Sequence, residues 1–350
     1  DVVRMPLSSF GKATIAHRIV GMLVFLTQTL VRGLFTPRLG GILVSTSPPL
    51  ASTVAVIIGF FRRAPITYWV MDLNPDQMIE LGKISERSLA ARVFDFFNRL
   101  ILRRSAAVVA LDRFIGERLC RKHEVTAKMT VMPPWPHAEH AGGVPHAENP
   151  FRREHGLDGK FVVMYSGNHA LTNPIETVIE AALRMQDRAD LVFLFIGGGV
   201  RKKSVDEAIE QHRPTNIVSL PYQPLDTIRY SLSAADVHLV TLGDEAVGCV
   251  HPCKVYGAMA LERPILYAGP SPSHVTDLLG EDNAAERIGW RIEHGDVDGA
   301  VRTIDAIRQT PVDELHAMGG RAAAMVRERF DSERMIDEFC EVVTGPINAR

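Results

Sequence analysis

The chain has 350 residues, 46% of them hydrophobic and 23% charged, with a formal net charge of −2. That length and apolar content support two domains with real cores and exclude a disordered chain. The near-neutral total hides an asymmetry: residues 1–150 hold 18 Lys and Arg against 11 Asp and Glu (+7), and the remainder 21 against 30 (−9). A basic first half suits an anionic surface, either a bilayer or a phosphorylated acceptor, and ordinary solvated charge explains it about as well. We expect no nucleic-acid partner.

Strands and helices alternate along the whole sequence. Strands are expected near 41–46, 66–71, 106–111 and 129–133, with helices near 15–33, 50–61, 85–103 and 112–122 between them. In the second half, strands are expected near 161–166, 191–196, 216–219, 237–242, 264–268 and 289–292. The helices there fall near 174–186, 202–212, 225–234, 253–261, 273–279, 296–308 and 312–329. Apolar runs such as Phe161–Tyr165 and Leu191–Ile196 read as strands buried on both faces, the mark of parallel sheets covered by helices. A Pro/Gly/His-rich stretch over 134–158 breaks this rhythm and places a boundary near 150. The expectation is two doubly wound α/β domains, 1–150 and 151–350, facing each other across a cleft, with the last helix able to cross back to the first domain. The opening Val2-Val3-Arg4-Met5-Pro6 resembles the end of a Rossmann-like unit, so a preceding portion of the first domain is expected.

Two segments raise a membrane question. Ile19–Val31 is short and carries Thr27, Gln28 and Thr29, and Ile42–Phe61 is split by Ser45-Thr46-Ser47-Pro48-Pro49. Neither reads as a span. Cys120, Cys249, Cys253 and Cys340 form no paired framework or zinc spacing and fit a reducing, cytosolic compartment. His137, His140 and His146 lack metal-ligand spacing and read as solvated linker residues.

The most informative stretch is His251-Pro252-Cys253-Lys254-Val255-Tyr256-Gly257-Ala258-Met259-Ala260, between two apolar strands. It reads as a loop and a helix start with a lysine beside free N–H groups, which suits a diphosphate; Pro252 presets the first turn. Tyr165-Ser166-Gly167-Asn168-His169 ends one strand, where small residues admit close approach of a ligand's phosphate or simply make a tight turn. Gly197-Gly198-Gly199 ends the next strand but lacks a full dinucleotide fingerprint, which argues against NAD. Arg201 and Lys202 after it either face a donor phosphate or are solvated. Tyr222, in the turn after Asn216–Leu220, either stacks on a nucleobase or belongs to a plain loop. Asp72 ends an apolar strand and is a candidate for contacting sugar hydroxyls or orienting an acceptor, whereas Asp76 reads as a helix-start carboxylate. Ser85–Ser105 places Leu89, Val93, Phe96, Phe97 and Leu100 on one side and Arg87, Arg92, Arg99, Arg103 and Arg104 elsewhere. Such a helix either lies on anionic lipid or packs on a core with a solvated basic side; the second is the commoner arrangement.

Asn149-Pro150-Phe151-Arg152, Tyr165–His169, Ala234-Ala235-Asp236-Val237 and above all Pro252-x-Lys254-x-Tyr256-x-x-Met259-Ala260-x-x-x-Pro264 together resemble GT-B-fold glycosyltransferases. The group is that of the retaining group 1 (family 4) enzymes of bacterial polysaccharide synthesis, of the O-antigen and colanic-acid type. Thr46-Ser47-Pro48-Pro49 and Asp72-Leu73-Asn74-Pro75 are similar too. The resemblance implies a nucleotide-sugar donor, UDP-linked by expectation, bound by residues 151–350. It implies a polyprenyl-diphosphate-linked or saccharide acceptor met by residues 1–150, transfer of a hexosyl or N-acetylhexosaminyl group with retention, and work without a metal or other cofactor. It implies that Lys254 neutralises the leaving diphosphate and that Ser166–Asn168 face it; with the readings above, the candidate catalytic residues are Asp72 and Lys254, and the candidate donor-binding residues Ser166, Gly167, Asn168, Gly198, Gly199, Arg201, Tyr222, His251, Pro252, Lys254 and Tyr256. It implies a cytoplasmic protein on the inner face of the plasma membrane. Family members often carry a ribose-binding glutamate before Ala-Met-Ala and another eight residues earlier; here those positions are Gly257 and Cys249. The alternatives are a nucleotide-sugar 2-epimerase of the same architecture and a non-catalytic binding or scaffold protein.

Overall fold

The computed structural model describes residues 2–5, 15–136, 142–281 and 283–349. His137 and His140 lie outside the described residues. By contacts the chain divides into unit 1 (Asp1–Pro133, Gly248–His251, Met335–Arg350) and unit 2 (Pro134–Val247, Pro252–Arg334).

Unit 1 is built on a four-stranded parallel sheet in the order β1-β2-β3-β4: β1 (Ile42–Ser45), β2 (Ile66–Val70), β3 (Ala107–Ala110) and β4 (Met129–Val131). Each crossover carries a helix, because parallel neighbours need a long connection. The helix Ala51–Arg62 follows β1, Leu89–Arg104 follows β2, and Arg113–Lys122 follows β3. Ser88 and Asp112 start the last two, their side chains accepting from the backbone N–H of Ala91 and Ile115. Val70, Val108, Ala110, Ile101, Leu102 and Ile115 form the core between sheet and helices. The helix Ile15–Phe35 packs on Ala51–Arg62 through Leu26, Val54 and Ile58.

Unit 2 holds a six-stranded, all-parallel sheet in the order β10-β9-β8-β5-β6-β7. The strands are β5 (Phe161–Asn168), β6 (Leu191–Gly198), β7 (Ile217–Leu220), β8 (Val237–Thr241), β9 (Ile265–Ala268) and β10 (Gly289–Ile292). Helices cover both faces, so the strands are apolar throughout; Phe193, Phe195, Val163 and Leu266 sit in one core and Met164, Leu194 and Ile196 in the other. Each such side chain contributes about 1.5–3 kcal/mol relative to exposure. β5 has β6 on one side and β8 on the other, so the strand order reverses there.

All ten strands lie where the apolar runs placed them, and three differences carry information. β5 and β6 run on through their glycines, pairing Gly167 with Gly197 and Asn168 with Gly198, where the sequence suggested turns. A Cβ on Gly197 would stand on the carbonyl oxygen of Gly167, so only glycine keeps that pairing. The helix expected over 225–234 shortens to Ile228–Ser233, because residues 225–227 form a turn in which the Thr227 N–H donates to Pro224 O at 3.1 Å. Residues after Pro311 form two helices, Val312–Arg329 and Ser332–Asn348, of which only the first was expected as a defined element. No helix of the described residues is long and apolar enough to cross a membrane.

Candidate functional site

In an open parallel sheet the natural ligand crevice lies beyond the carboxyl ends of the strands at the reversal of strand order. In unit 2 that point is the gap between β5 and β8. A cavity of about 280 Å³ opens there, walled by Ser166 and Gly167 of β5, Tyr222 and Gln223 of the turn after β7, the helix Ile228–Ser233, and Cys253, Lys254, Gly257 and Ala258. The last three lie at i, i+3 and i+4 on the helix Lys254–Ala260, which puts them on one face. The cavity is small for a ligand pocket and largely apolar, with a few polar groups at its wall.

Lys254 is the charged group of that wall. Its side chain lies along Gly167: a Cβ there would come within 2.8 Å of Lys254 Cε, and Gly167 has φ +125°, a conformation L side chains rarely adopt. The ammonium sits 5.1 Å from the centroid of the Tyr165 ring. It makes no hydrogen bond or ion pair among the described residues. Burial lowers its pKa from the ordinary value. A half-buried cation that has a ring face but no anionic partner among the described residues is a costly arrangement that an anion in the cavity would relieve. The helix behind it has only seven residues, so the ammonium rather than a helix dipole supplies the positive charge.

The loop opposite Lys254 is rigidly made. His169 is fully buried, and its Nδ1 donates to the Gly167 carbonyl at 3.1 Å. Burial first, then the charge of Lys202, lowers its pKa to about 4, so the ring is neutral near pH 7. Its Nε2 is buried without a hydrogen-bond partner among the described residues. The His169 backbone N–H donates to Gly198 O at 2.7 Å, and its carbonyl accepts from Arg201 N at 3.0 Å. Tyr165 packs against the ring at a tilt of 57° and donates its hydroxyl to Asn168 O at 2.8 Å. Gly199 has φ +128°, and a Cβ there would meet Asn168 Oδ1 at 2.5 Å and His169 O at 2.6 Å. Lys202 donates to Phe195 O at 2.7 Å and Leu220 O at 3.0 Å, tying the carboxyl ends of β6 and β7 together. Tyr222, mostly exposed, donates its hydroxyl to Gly198 O at 3.3 Å and leaves a ring at the cavity wall.

The structure thus brings Ser166, Gly167, Tyr222 and Lys254 to one cavity, with Asn168 and Gly198 at the paired ends of β5 and β6 and Gly199 in the turn that follows. It does not bring the other expected residues there. Arg201 is bound to Glu176 at 2.6 Å and to Leu171 O at 3.0 Å. Tyr256 is buried, its hydroxyl 2.6 Å from His274 Nε2 and its ring edge-on to Phe330. Pro252 precedes the helix, its carbonyl accepting from Val255 N. His251 belongs to unit 1, where its Nδ1 lies 2.7 Å from Asp112 Oδ2 and both residues are buried. Cys249, also in unit 1, accepts from Arg118 at 2.9 Å, and burial pushes its thiol up to about 12. Asp72 is exposed beyond the end of β2, its backbone N–H held by Thr46 Oγ1 at 3.1 Å. It borders a small hollow with Tyr68, Phe94 and Phe97, and desolvation raises its pKa. Asp76 opens the short helix Asp76–Glu80 and pairs with Lys122 at 2.8 Å. Gln223, Cys253 and Ala258 were not read as site residues, and Gly257 was read only as standing where family members carry a ribose-binding glutamate; the i, i+3, i+4 spacing from Lys254 was the signal for Gly257 and Ala258.

Two α/β units, each wound on a parallel sheet, with a glycine-walled crevice at the strand reversal of the second, make up the GT-B fold of glycosyltransferases. The resemblance read from the motifs is borne out by known proteins. No family model matches the chain. It is 23% identical over 309 residues to a Pseudomonas aeruginosa protein named "Probable glycosyltransferase WbjE", covering 87% of this chain and 75% of that one. It is 26% identical over 196 residues to WcaI of Escherichia coli (strain K12), named for colanic acid biosynthesis as a glycosyl transferase; this covers 55% of the chain and 48% of WcaI. Among solved structures, Anabaena HepE in complex with UDP-glucose superposes with a TM-score of 0.73 at 15% identity, over 93% of this chain and 84% of that one.

Proposed function

We propose that the protein is a retaining glycosyltransferase of cell-surface polysaccharide synthesis. It takes a hexosyl or N-acetylhexosaminyl group from a UDP-sugar and passes it to a lipid-linked or saccharide acceptor. The observation that carries this reading is Lys254, a half-buried ammonium with no anionic partner among the described residues, laid along Gly167 at the strand reversal of unit 2. Bond cleavage at the sugar leaves negative charge on the departing diphosphate. A preplaced cation in a partly desolvated site stabilises that charge more in the transition state than in the ground state. Gly167 leaves the strand end bare, so a phosphate can approach the backbone. The neutral His169 ring fixes the Gly167 carbonyl and keeps a second positive charge out of the loop. Tyr222 offers a ring face for the base. Asp72, with its raised pKa, is the candidate for orienting the acceptor hydroxyl from unit 1. The nucleotide-sugar is a substrate, and the reading calls for no resident cofactor.

HepE, which binds UDP-glucose, and the relatives named for glycosyl transfer support this choice over others of the same fold. Lys254→Ala tests it. Loss of a charge-assisted contact is worth roughly 1.5–3 kcal/mol, so UDP affinity should fall by about ten- to a hundredfold while uridine affinity changes little. Unchanged UDP affinity and donor turnover would overturn the site assignment. Sugar conversion without acceptor consumption would instead indicate a 2-epimerase.

A further inference from the structure

The wall of the unit 2 cavity beside Lys254 carries no carboxylate: none of the described residues that line it is an Asp or a Glu. A nucleoside diphosphate holds its sugar next to the phosphates, and a ribose presents its 2′-hydroxyl there, which a carboxylate at the site accepts from when the hydroxyl is read. With a diphosphate on Lys254, the sugar falls within a turn of the helix Lys254–Ala260. Gly257 stands at i+3, about 4.5 Å along that helix axis. It supplies no side chain, and a Cβ built on it meets nothing within 4 Å. The wall beyond is apolar, with Ile196, Leu239 and Val240 all buried. Lys254 can only donate. Ser231 is engaged, donating to Ile228 O at 3.0 Å. His238 donates from Nε2 to Leu232 O at 3.0 Å and keeps Nδ1 as an acceptor. It is level with Met164, however, three residues back along β5 from Gly167 and so about 10 Å below the strand end. Ser166 and Gln223 offer neutral oxygens, weaker acceptors than a carboxylate. Asp244 and Glu245 lie on the turn after β8 and do not line the cavity; the Glu245 carboxylate is folded back toward Gly243.

We propose that the nucleotide site of unit 2 does not read the ribose 2′-hydroxyl, and that it binds pyrimidine 2′-deoxynucleoside diphosphates as well as the ribonucleoside forms. A thymidine-diphosphate sugar is then as good an occupant as a UDP-sugar, and Gly257 is the residue that sets this. A hydroxyl that leaves water for a wall without a strong acceptor gains no affinity from the transfer. The hydrogen that replaces it in a deoxyribose suits the apolar wall, and the methyl group of thymine adds further apolar surface for burial. The inference rests on the reading of Lys254 as the partner of the diphosphate and deepens it by naming the class of nucleoside.

Titration calorimetry of the full chain with UDP, dUDP and dTDP tests it. The wild type should bind UDP and dUDP with affinities within about threefold of each other, and dTDP no more weakly than dUDP. Gly257→Glu places a carboxylate beside the nucleoside sugar and should raise the preference for UDP over dUDP to at least about tenfold, as a hydrogen bond to a charged group does. The ratio is the readout, because a carboxylate one turn from Lys254 also competes for its charge and lowers both affinities. Gly257→Gln adds an acceptor without a charge and should raise the ratio by a smaller factor; melting curves show that both variants fold. A wild-type preference for UDP over dUDP of about tenfold or more would overturn the inference and leave the diphosphate reading standing. Binding of none of the three nucleotides would overturn the diphosphate reading itself, and the inference with it. An unchanged ratio in folded Gly257→Glu and Gly257→Gln would remove Gly257 as the determinant.

Discussion

Gly257 is a helix residue that neither the helix nor the core requires. It is the fourth residue of Lys254–Ala260, lines the cavity, and a Cβ placed on it meets nothing within 4 Å. Glycine inside a helix costs roughly 0.8–1.0 kcal/mol relative to alanine, through backbone entropy in the unfolded chain. Gly257→Ala should therefore stabilise unit 2 by about that amount, raising its melting temperature by roughly 2–4 °C for a domain of 150–250 residues. The same methyl protrudes into a cavity of about 280 Å³ one turn from Lys254, so the effect on ligand should run the other way. Gly257→Ala should weaken UDP modestly, and Gly257→Phe should abolish UDP binding while the fold persists. Scanning calorimetry of the free variants and titration calorimetry with UDP measure the two arms. A lower melting temperature for Gly257→Ala would mean the space is not open. Unchanged UDP affinity for Gly257→Phe would mean the nucleotide does not use this cavity.

Lys254 also predicts a pH signature. Its folded pKa lies below the ordinary 10.5, so between the two values the unfolded chain binds more protons and stability rises with pH. Melting curves from neutral pH toward that limit should show this rise in the wild type and a smaller one in Lys254→Met; parallel curves would contradict the desolvated ammonium. Gly199→Ala forces a Cβ against Asn168 and His169 at φ +128° and should cost at least about 1–3 kcal/mol, read by urea unfolding; a neutral result would refute the interlocked loops. Iodoacetamide mapped by peptide mass should label exposed Cys253 and Cys340 well before buried Cys249, whose thiol stands near 12. UDP should slow labelling of Cys253, at the cavity wall, and leave Cys340 unaffected. Equal protection of both or of neither would argue against nucleotide in that cavity.

Much of the fold was legible because its signals are local. A strand buried on both faces must be apolar at every residue, so Leu191–Ile196 and Val237–Leu242 announce themselves without any partner. The helix start at Asp112 follows from a side chain that bonds three residues ahead, whereas the cap at Ser88 moved a start expected at Ser85 and the cap at Asn149 opens a short helix inside the stretch read as linker. Lys254 could be picked out as an anion's partner from its place between two apolar strands.

What the sequence could not decide was which of several equivalent chemical options a residue would take. Arg201 was as good a phosphate ligand as Lys254 by composition, yet folding sets Glu176 beside it, and the guanidinium is consumed there. His251 and Lys254 are three residues apart, but contacts assign them to different units and give His251 to Asp112. Leu89, Val93 and Phe96 matched a core stripe as well as the residues that became the core, because periodicity marks an apolar face without saying what covers it. The sequence by itself determined the parallel α/β architecture, the small-residue strand ends and the lone lysine between them. Only the tertiary structure decided that this lysine, and not Arg201 or Lys202, lines the cavity with no anionic partner among the described residues. Pairing between charges distant in sequence is settled by packing, and local pattern carries no record of it.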